Sequence, residues 1–142
     1  MTIESFTNGI VINGVLIEVL QGDITNESTE AIVNPTDKDL ELTGSLSRAL
    51  IEKGGSSIAE ECKAIGKLKD VSITSAGTGS LHCHHIMHVR SPGNINKCQT
   101  LVRTLLSSIA TRRFESVSIP PIGVSRGHER TVRKKTGGPN EK

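Results

Sequence analysis

Aliphatic residues gather along this chain in short blocks whose repeat switches between that of a strand and that of a helix. Val15, Leu16, Ile17, Glu18, Val19 and Leu20 form a short aliphatic run that ends at Gln21-Gly22-Asp23, which predicts a strand entering a turn. Ala31-Ile32-Val33-Asn34 predicts a second strand, buried on both faces and stopped by Pro35. Between Ser45 and Lys53 the apolar positions Leu46, Ala49 and Leu50, followed by Gly54-Gly55, fit a short helix with one buried face. Ser57 with Glu60 three residues on has the pattern of a capping box ahead of Ile58, Ala59, Cys62 and Ile65, and Gly66 closes that second helix. Val71 to Ser75 and His85 to Val89 read as strands on either side of a loop at Gly77-Thr78-Gly79. From Ile95 to Arg112 the residues Ile95, Cys98, Leu101, Val102, Leu105, Leu106 and Ile109 recur every three or four positions, an amphipathic helix. Glu115 to Ile119 supplies a further strand before Pro120-Pro121. Strands interleaved with helices predict an α/β fold, with a mixed or parallel sheet covered on both faces.

Composition agrees with one globular domain. The 142 residues are 35% hydrophobic with 14 glycines, and no apolar run approaches the roughly 20 residues that span a bilayer. The start MTIESFTNGI has no basic segment followed by an apolar one, so no secretory signal and no membrane association are expected. Cys62, Cys83 and Cys98 are odd in number and widely spaced, which fits reduced thiols and a location in the nucleus or cytoplasm. Residues 1–12 are expected as an N-terminal extension, 13–124 as the domain and 125–142 as a disordered basic tail. In that tail Val132 is the one aliphatic residue, and residues 126–142 carry six Lys or Arg against two Glu. The aromatic complement is Phe6 and Phe114 alone.

Three places carry candidate chemistry. Gly22-Asp23-Ile24-Thr25 follows the first strand, and Asp23 can accept hydrogen bonds from an amine or a hydroxyl, though the residues by themselves favour a helix cap at Asp23 or Thr25. Asn34-Pro35-Thr36-Asp37 and Gly44-Ser45-Leu46 frame a loop leading into a helix whose first N–H groups can face an anion, or a plain strand–loop–helix connection. Pro121-Ile122-Gly123-Val124-Ser125 places a glycine after a strand, where a phosphate loop can begin. Two other readings compete. His82-Cys83-His84-His85 with His88 suggests zinc, but His85 and His88 sit at odd spacing on a strand and point to opposite faces, so no metal is expected. Arg126, Arg130, Arg133, Lys134 and Lys135 offer weak, non-specific contact with nucleic acid, without interleaved aromatics for base stacking.

Taken together, Gly22-Asp23-Ile24-Thr25, Ala31-Ile32-Val33-Asn34, Gly44-Ser45-Leu46-Ser47-Arg48-Ala49-Leu50, Leu81-His82-Cys83 with Ile86-Met87-His88-Val89, and Ser116-Val117-Ser118-Ile119-Pro120-Pro121-Ile122-Gly123 resemble the macrodomain family. The likeness is greatest to the macrodomains of multi-macrodomain ADP-ribosyltransferases of the poly(ADP-ribose) polymerase group, over roughly residues 13–124. It implies a three-layer α/β/α domain with a mixed sheet that reads ADP-ribose or mono-ADP-ribosylated proteins, without cofactor. It assigns Asp23 to the adenine amine with the Ile24 backbone beside it, Asn34 to the distal ribose, backbone groups of Gly44, Ser45 and Leu46 to the diphosphate, and Gly123 to a second phosphate loop. The departures bear on activity. Hydrolytic members carry a second asparagine and a glycine run where this chain has Asp37 and Leu42-Thr43-Gly44, so no catalytic residue is assigned and ADP-ribosyl hydrolysis is the alternative. Gly123-Val124-Ser125 replaces a glycine-threonine-glycine turn, and the family's last strand, last helix and late adenine-stacking aromatic have no counterpart. The resemblance therefore implies a C-terminally truncated domain with weakened ADP-ribose binding.

Overall fold

The computed structural model describes residues 2–6 and 8–122, so Gly123 and the basic tail lie outside the described residues. The chain divides at Gly22. In the first unit β1 (Ile3–Phe6), β2 (Gly9–Ile12) and β3 (Val15–Glu18) form an antiparallel sheet in that order. The first twelve residues, expected only as an extension, thus supply two strands. A local signal marks one of their turns: Asn13 and Gly14, with φ of 52° and 83°, join β2 to β3 as an Asn-Gly pair flanked by aliphatics does. The strand expected over Val15 to Leu20 ends at Glu18, and it pairs with β2 instead of joining the larger sheet.

The second unit carries the mixed sheet. β4 (Ala31–Thr36), β5 (Val71–Ser75), β6 (His85–Arg90) and β7 (Val117–Ser118) lie in the order β5-β6-β4-β7. β4 runs parallel to β6 and β7, and β5 runs antiparallel to β6. Pro35 does not stop β4. Backbone N–H groups alternate sides along a strand, and the Ala31 N–H points to Ser116 on the β7 side. Pro35, four residues on, faces that same side, where β7 pairs only with Ala31 and Ile32, so no ladder bond is lost. The strand expected over Glu115 to Ile119 is two residues long, Val117–Ser118.

Alternation along β4 and β6 builds two cores. Ile32 and Ile86 pack with Leu50, Ile58, Ala76 and Cys83 on one face, against α1 (Ser45–Gly54) and α2 (Ser57–Ile65). Ala31, Val33, Met87 and Val89 face the other way, onto Leu105 of α3 (Ile95–Arg112), with Leu101 and Ile109 beside it. This is the expected α/β/α layering. The stripe expected on α3 is only partly covered, since Ile95, Val102 and Leu106 are exposed. The expected capping box does not form: Ser56 is the N-cap of α2, it makes no side-chain cap bond, and the buried Ser57 hydroxyl has no partner among the described residues. The glycines of the 77–79 loop serve α1. Gly79 N–H and Ser80 N–H donate to the Gly54 and Lys53 carbonyls at 3.0 and 2.7 Å, satisfying helix-end acceptors. Gly77 has a φ of 77° and a Cβ there would collide with the Gly54 carbonyl, so glycine is required.

Candidate functional site

The start of α1 leaves backbone donors open in the second unit. Its N-cap is Gly44, which makes no side-chain cap bond, and the first turn holds no acidic residue. The first intrahelical bond is Arg48 N–H to the Gly44 carbonyl at 3.0 Å, so the N–H groups of Ser45, Leu46 and Ser47 have no helical partner. Ser45 and Gly44 are exposed, and open space lies where a Gly44 side chain would stand. A helix start of this kind attracts an anion through both its free donors and its dipole.

The loop before it carries no glycine until Gly44. Leu40 and Leu42 both adopt left-handed backbone, with φ of 55° and 59°, and both bury their side chains against Cys62. Leu42, at a position where the resemblance implies a glycine, is therefore turned inward, a placement invisible in the sequence, while Thr43 beside it stays exposed. Asp37 organises the same loop. Its carboxylate accepts from Asp39 N–H at 3.0 Å, from Glu41 N–H at 3.1 Å and from the Thr36 hydroxyl at 3.2 Å. Burial works to raise its pKa, but these donated bonds outweigh burial and hold the carboxyl below its ordinary value.

Asn34 sits behind the helix start, only 1% exposed. Its Nδ2 donates to Ser47 Oγ at 2.9 Å and to His88 Nδ1 at 3.1 Å, and its Oδ1 accepts from the Ser47 hydroxyl at 3.1 Å. Because His88 Nδ1 accepts, Nε2 carries the proton and donates to Thr74 Oγ1 at 2.9 Å, whose hydroxyl passes on to the Ser75 carbonyl at 3.1 Å. Burial pushes the His88 imidazole down to about 4 against a smaller opposing influence of Glu61, in keeping with the neutral tautomer. Cys62 Sγ lies 3.6 Å from Nε2, and burial, with the Glu61 charge adding to it, pushes that thiol up to about 11. Burial also raises the Cys83 thiol, so neither is a nucleophile near neutral pH. His88 thus belongs to a buried polar chain, while His85 turns to the opposite face and stacks on Phe114 at 5.3 Å between ring centres. Among the described residues no three His, Cys, Asp or Glu side chains converge on a metal position.

Asp23 lies elsewhere. It caps a short 3-10 helix, Ile24–Asn26, through Oδ1, which accepts from Thr25 N–H at 2.9 Å and from the Thr25 hydroxyl at 2.7 Å. The hydroxyl, then the backbone N–H, hold its pKa below the ordinary value, with Lys53 assisting. Its second oxygen is 3.7 Å from Lys53 Nζ, and Lys53 also donates to Thr25 Oγ1 at 2.7 Å and to Asn26 Oδ1 at 2.8 Å. Lys53 went unnoticed in the sequence, where nothing pairs it with a residue 30 positions earlier. Both readings of Asp23 are compatible with this geometry, since one carboxylate oxygen caps and the side chain as a whole stays exposed. Ile24 packs at the edge of the core under α1. Lys53 is in the last turn of α1 and Gly44 precedes its first. Ten residues rising about 1.5 Å each set the Asp23 corner and the helix start on the order of 15 Å apart, so only an elongated ligand could touch both.

The sequence profile of the Macro domain matches residues 33–129. Protein mono-ADP-ribosyltransferase PARP14 of Homo sapiens is 27% identical over 125 residues, which are 86% of this chain but 7% of that protein. O-acetyl-ADP-ribose deacetylase 2 of Pantoea vagans is 32% identical over 117 residues, 75% of this chain and 68% of that protein. A mutant of the Oceanobacillus iheyensis macrodomain with ADPR superposes with a TM-score of 0.72 at 24% identity, over 82% of this chain and 70% of that one.

Proposed function

Since the chain belongs to the Macro domain family, we propose that it is an ADP-ribose-binding module that reads ADP-ribose or mono-ADP-ribosylated proteins. The observation that carries this reading is the uncapped start of α1, where Ser45 and Leu46 present free N–H groups beside an open Gly44 and can receive a diphosphate. Asp23 and the Ile24 backbone take the adenine end, at the spacing an elongated dinucleotide-like ligand requires. Gly123, the proposed second phosphate contact, falls outside the described residues. The reading also draws on the ADPR of the mutant Oceanobacillus iheyensis macrodomain and on the mono-ADP-ribosyltransferase relative. Because the chain spans 7% of that relative, no transferase activity is carried over.

Hydrolysis is the second reading, favoured by the similarity to the Pantoea deacetylase. Against it stand Asp37, whose carboxylate is committed to loop N–H groups, and Asn34, whose amide is enclosed; neither is free to orient a water. No helix among the described residues is long and apolar enough to cross a membrane, and the three free cysteines suit the nucleus or cytoplasm. Calorimetry with ADP-ribose on the purified chain tests the proposal. Saturable binding in the micromolar to low millimolar range is expected. Heat that appears only with nucleic acid, and collapses steeply with added salt, points instead to the basic tail.

A further inference from the structure

The helix start that would hold a diphosphate is tied to the sheet at one point. Ser47 is the third residue of α1, and its hydroxyl both accepts from and donates to the Asn34 side chain, at 2.9 and 3.1 Å. Among the described residues these are the side-chain hydrogen bonds that join the first turn of α1 to the sheet. Asn34 is anchored in turn by His88, its register partner on β6, and His88 by Thr74 on β5. Both Asn34 N–H groups are consumed, its oxygen receives the Ser47 hydroxyl, and the residue is 1% exposed.

We infer that Asn34 is a positioning residue, which pins the first turn of α1 to β4 through Ser47 and so sets the direction of the anion-facing N–H groups, and that it makes no direct contact with the distal ribose. This rests on the ADP-ribose reading above. It replaces the ribose-contacting role implied by family resemblance with one the hydrogen bonds support. With the residue 1% exposed and both of its N–H groups paired, Asn34 has no free donor to offer a ribose hydroxyl, and releasing one would leave a buried acceptor on Ser47 or His88 unpaired. Held as it is, it fixes a helix terminus whose usefulness depends on donors that are already aimed.

The two roles separate cleanly with ADP and ADP-ribose. Both ligands bring the diphosphate, but only ADP-ribose brings the distal ribose. Each is titrated calorimetrically into the full chain and into its Ser47→Ala and Asn34→Ala variants. The expected result is that both ligands weaken by the same factor, about tenfold, in either variant. The inference is overturned if Asn34→Ala weakens ADP-ribose while ADP is unaffected, or if Ser47→Ala alters neither. Ser47→Ala removes a single oxygen, so it decides the matter alone should Asn34→Ala fail to fold. Should the parent chain bind neither nucleotide, the ADP-ribose reading fails, and the pin is judged by amide hydrogen exchange without ligand. Ser47→Ala should then speed exchange at Arg48, Ala49 and Leu50 about tenfold while the β6 amides keep their rates. Unchanged exchange at those three amides overturns it.

Discussion

Asn34 and His88 stand opposite each other in the parallel strands β4 and β6, and the Asn34 carboxamide donates to His88 Nδ1 across 3.1 Å. The bond requires an unprotonated Nδ1. A proton there would set donor against donor in a site where His88 is completely buried.

Stability should therefore depend on pH through His88. Its pKa falls from the ordinary 6.5 to about 4 on folding, so between these values the unfolded chain binds more protons than the folded one. The contribution is complete above pH 6.5 and is lost as pH falls toward 4, by about 3 kcal/mol at most. Urea denaturation of the parent chain and of His88→Gln across pH 4 to 7 checks this. The parent should lose stability on acidification more steeply than the variant, and parallel profiles would remove His88 from the cause.

Leu42→Gly tests whether strain or burial governs the loop before α1. Glycine relieves left-handed strain of about 1–2 kcal/mol, but it also frees the unfolded chain by about 0.5–1 kcal/mol and gives up a side chain 5% exposed, about 2–5 kcal/mol with the cavity included. Burial wins. The variant should be less stable by about 0.5–5 kcal/mol in chemical denaturation, and a stabilised variant would show that strain was the larger quantity.

Asp23→Ala should weaken ADP-ribose binding by about tenfold or more, since a hydrogen bond to a charged acceptor contributes about 1.5–3 kcal/mol. The loss of the 3-10 helix cap alone would cost about 1 kcal/mol of stability. Calorimetry on the variant distinguishes the two effects: equal affinity for parent and variant with lowered stability leaves Asp23 a cap and nothing more.

The chain should not release ADP-ribose from modified proteins, because Asp37 spends its carboxylate on Asp39 and Glu41 N–H groups and the Thr36 hydroxyl. Incubation with a mono-ADP-ribosylated protein should leave the label in place. Turnover proportional to the amount of chain added would refute this.

What the sequence determined by itself was local. The helical repeat between Ile95 and Arg112 and the glycine stops at Gly55 and Gly66 place the three helices to within a residue, because periodicity and positive-φ glycine stops act within a few positions. The unbroken Ala31-Ile32-Val33 run declared a strand covered on both faces, which it is. The Asn13-Gly14 turn was equally local, and its pairing of β2 with β3 could have been read from the same signals.

What only the tertiary structure decided depends on residues far apart in the chain. Ser47 meets Asn34 from 13 positions away and His88 from 54, so whether Asn34 faces a ligand or an internal partner depends on how α1 is laid over β4 and how β6 is registered beside it. Lys53 reaches the Asp23 corner for the same reason. Leu40 and Leu42 take backbone angles that local preference disfavours because Cys62, Ala59 and Leu68 close a pocket around their side chains. For Leu40 and Leu42 burial of apolar surface outweighs a local preference of about 1–2 kcal/mol, and for Asn34 a buried polar group must be paired; both conditions exist only once the layers have packed.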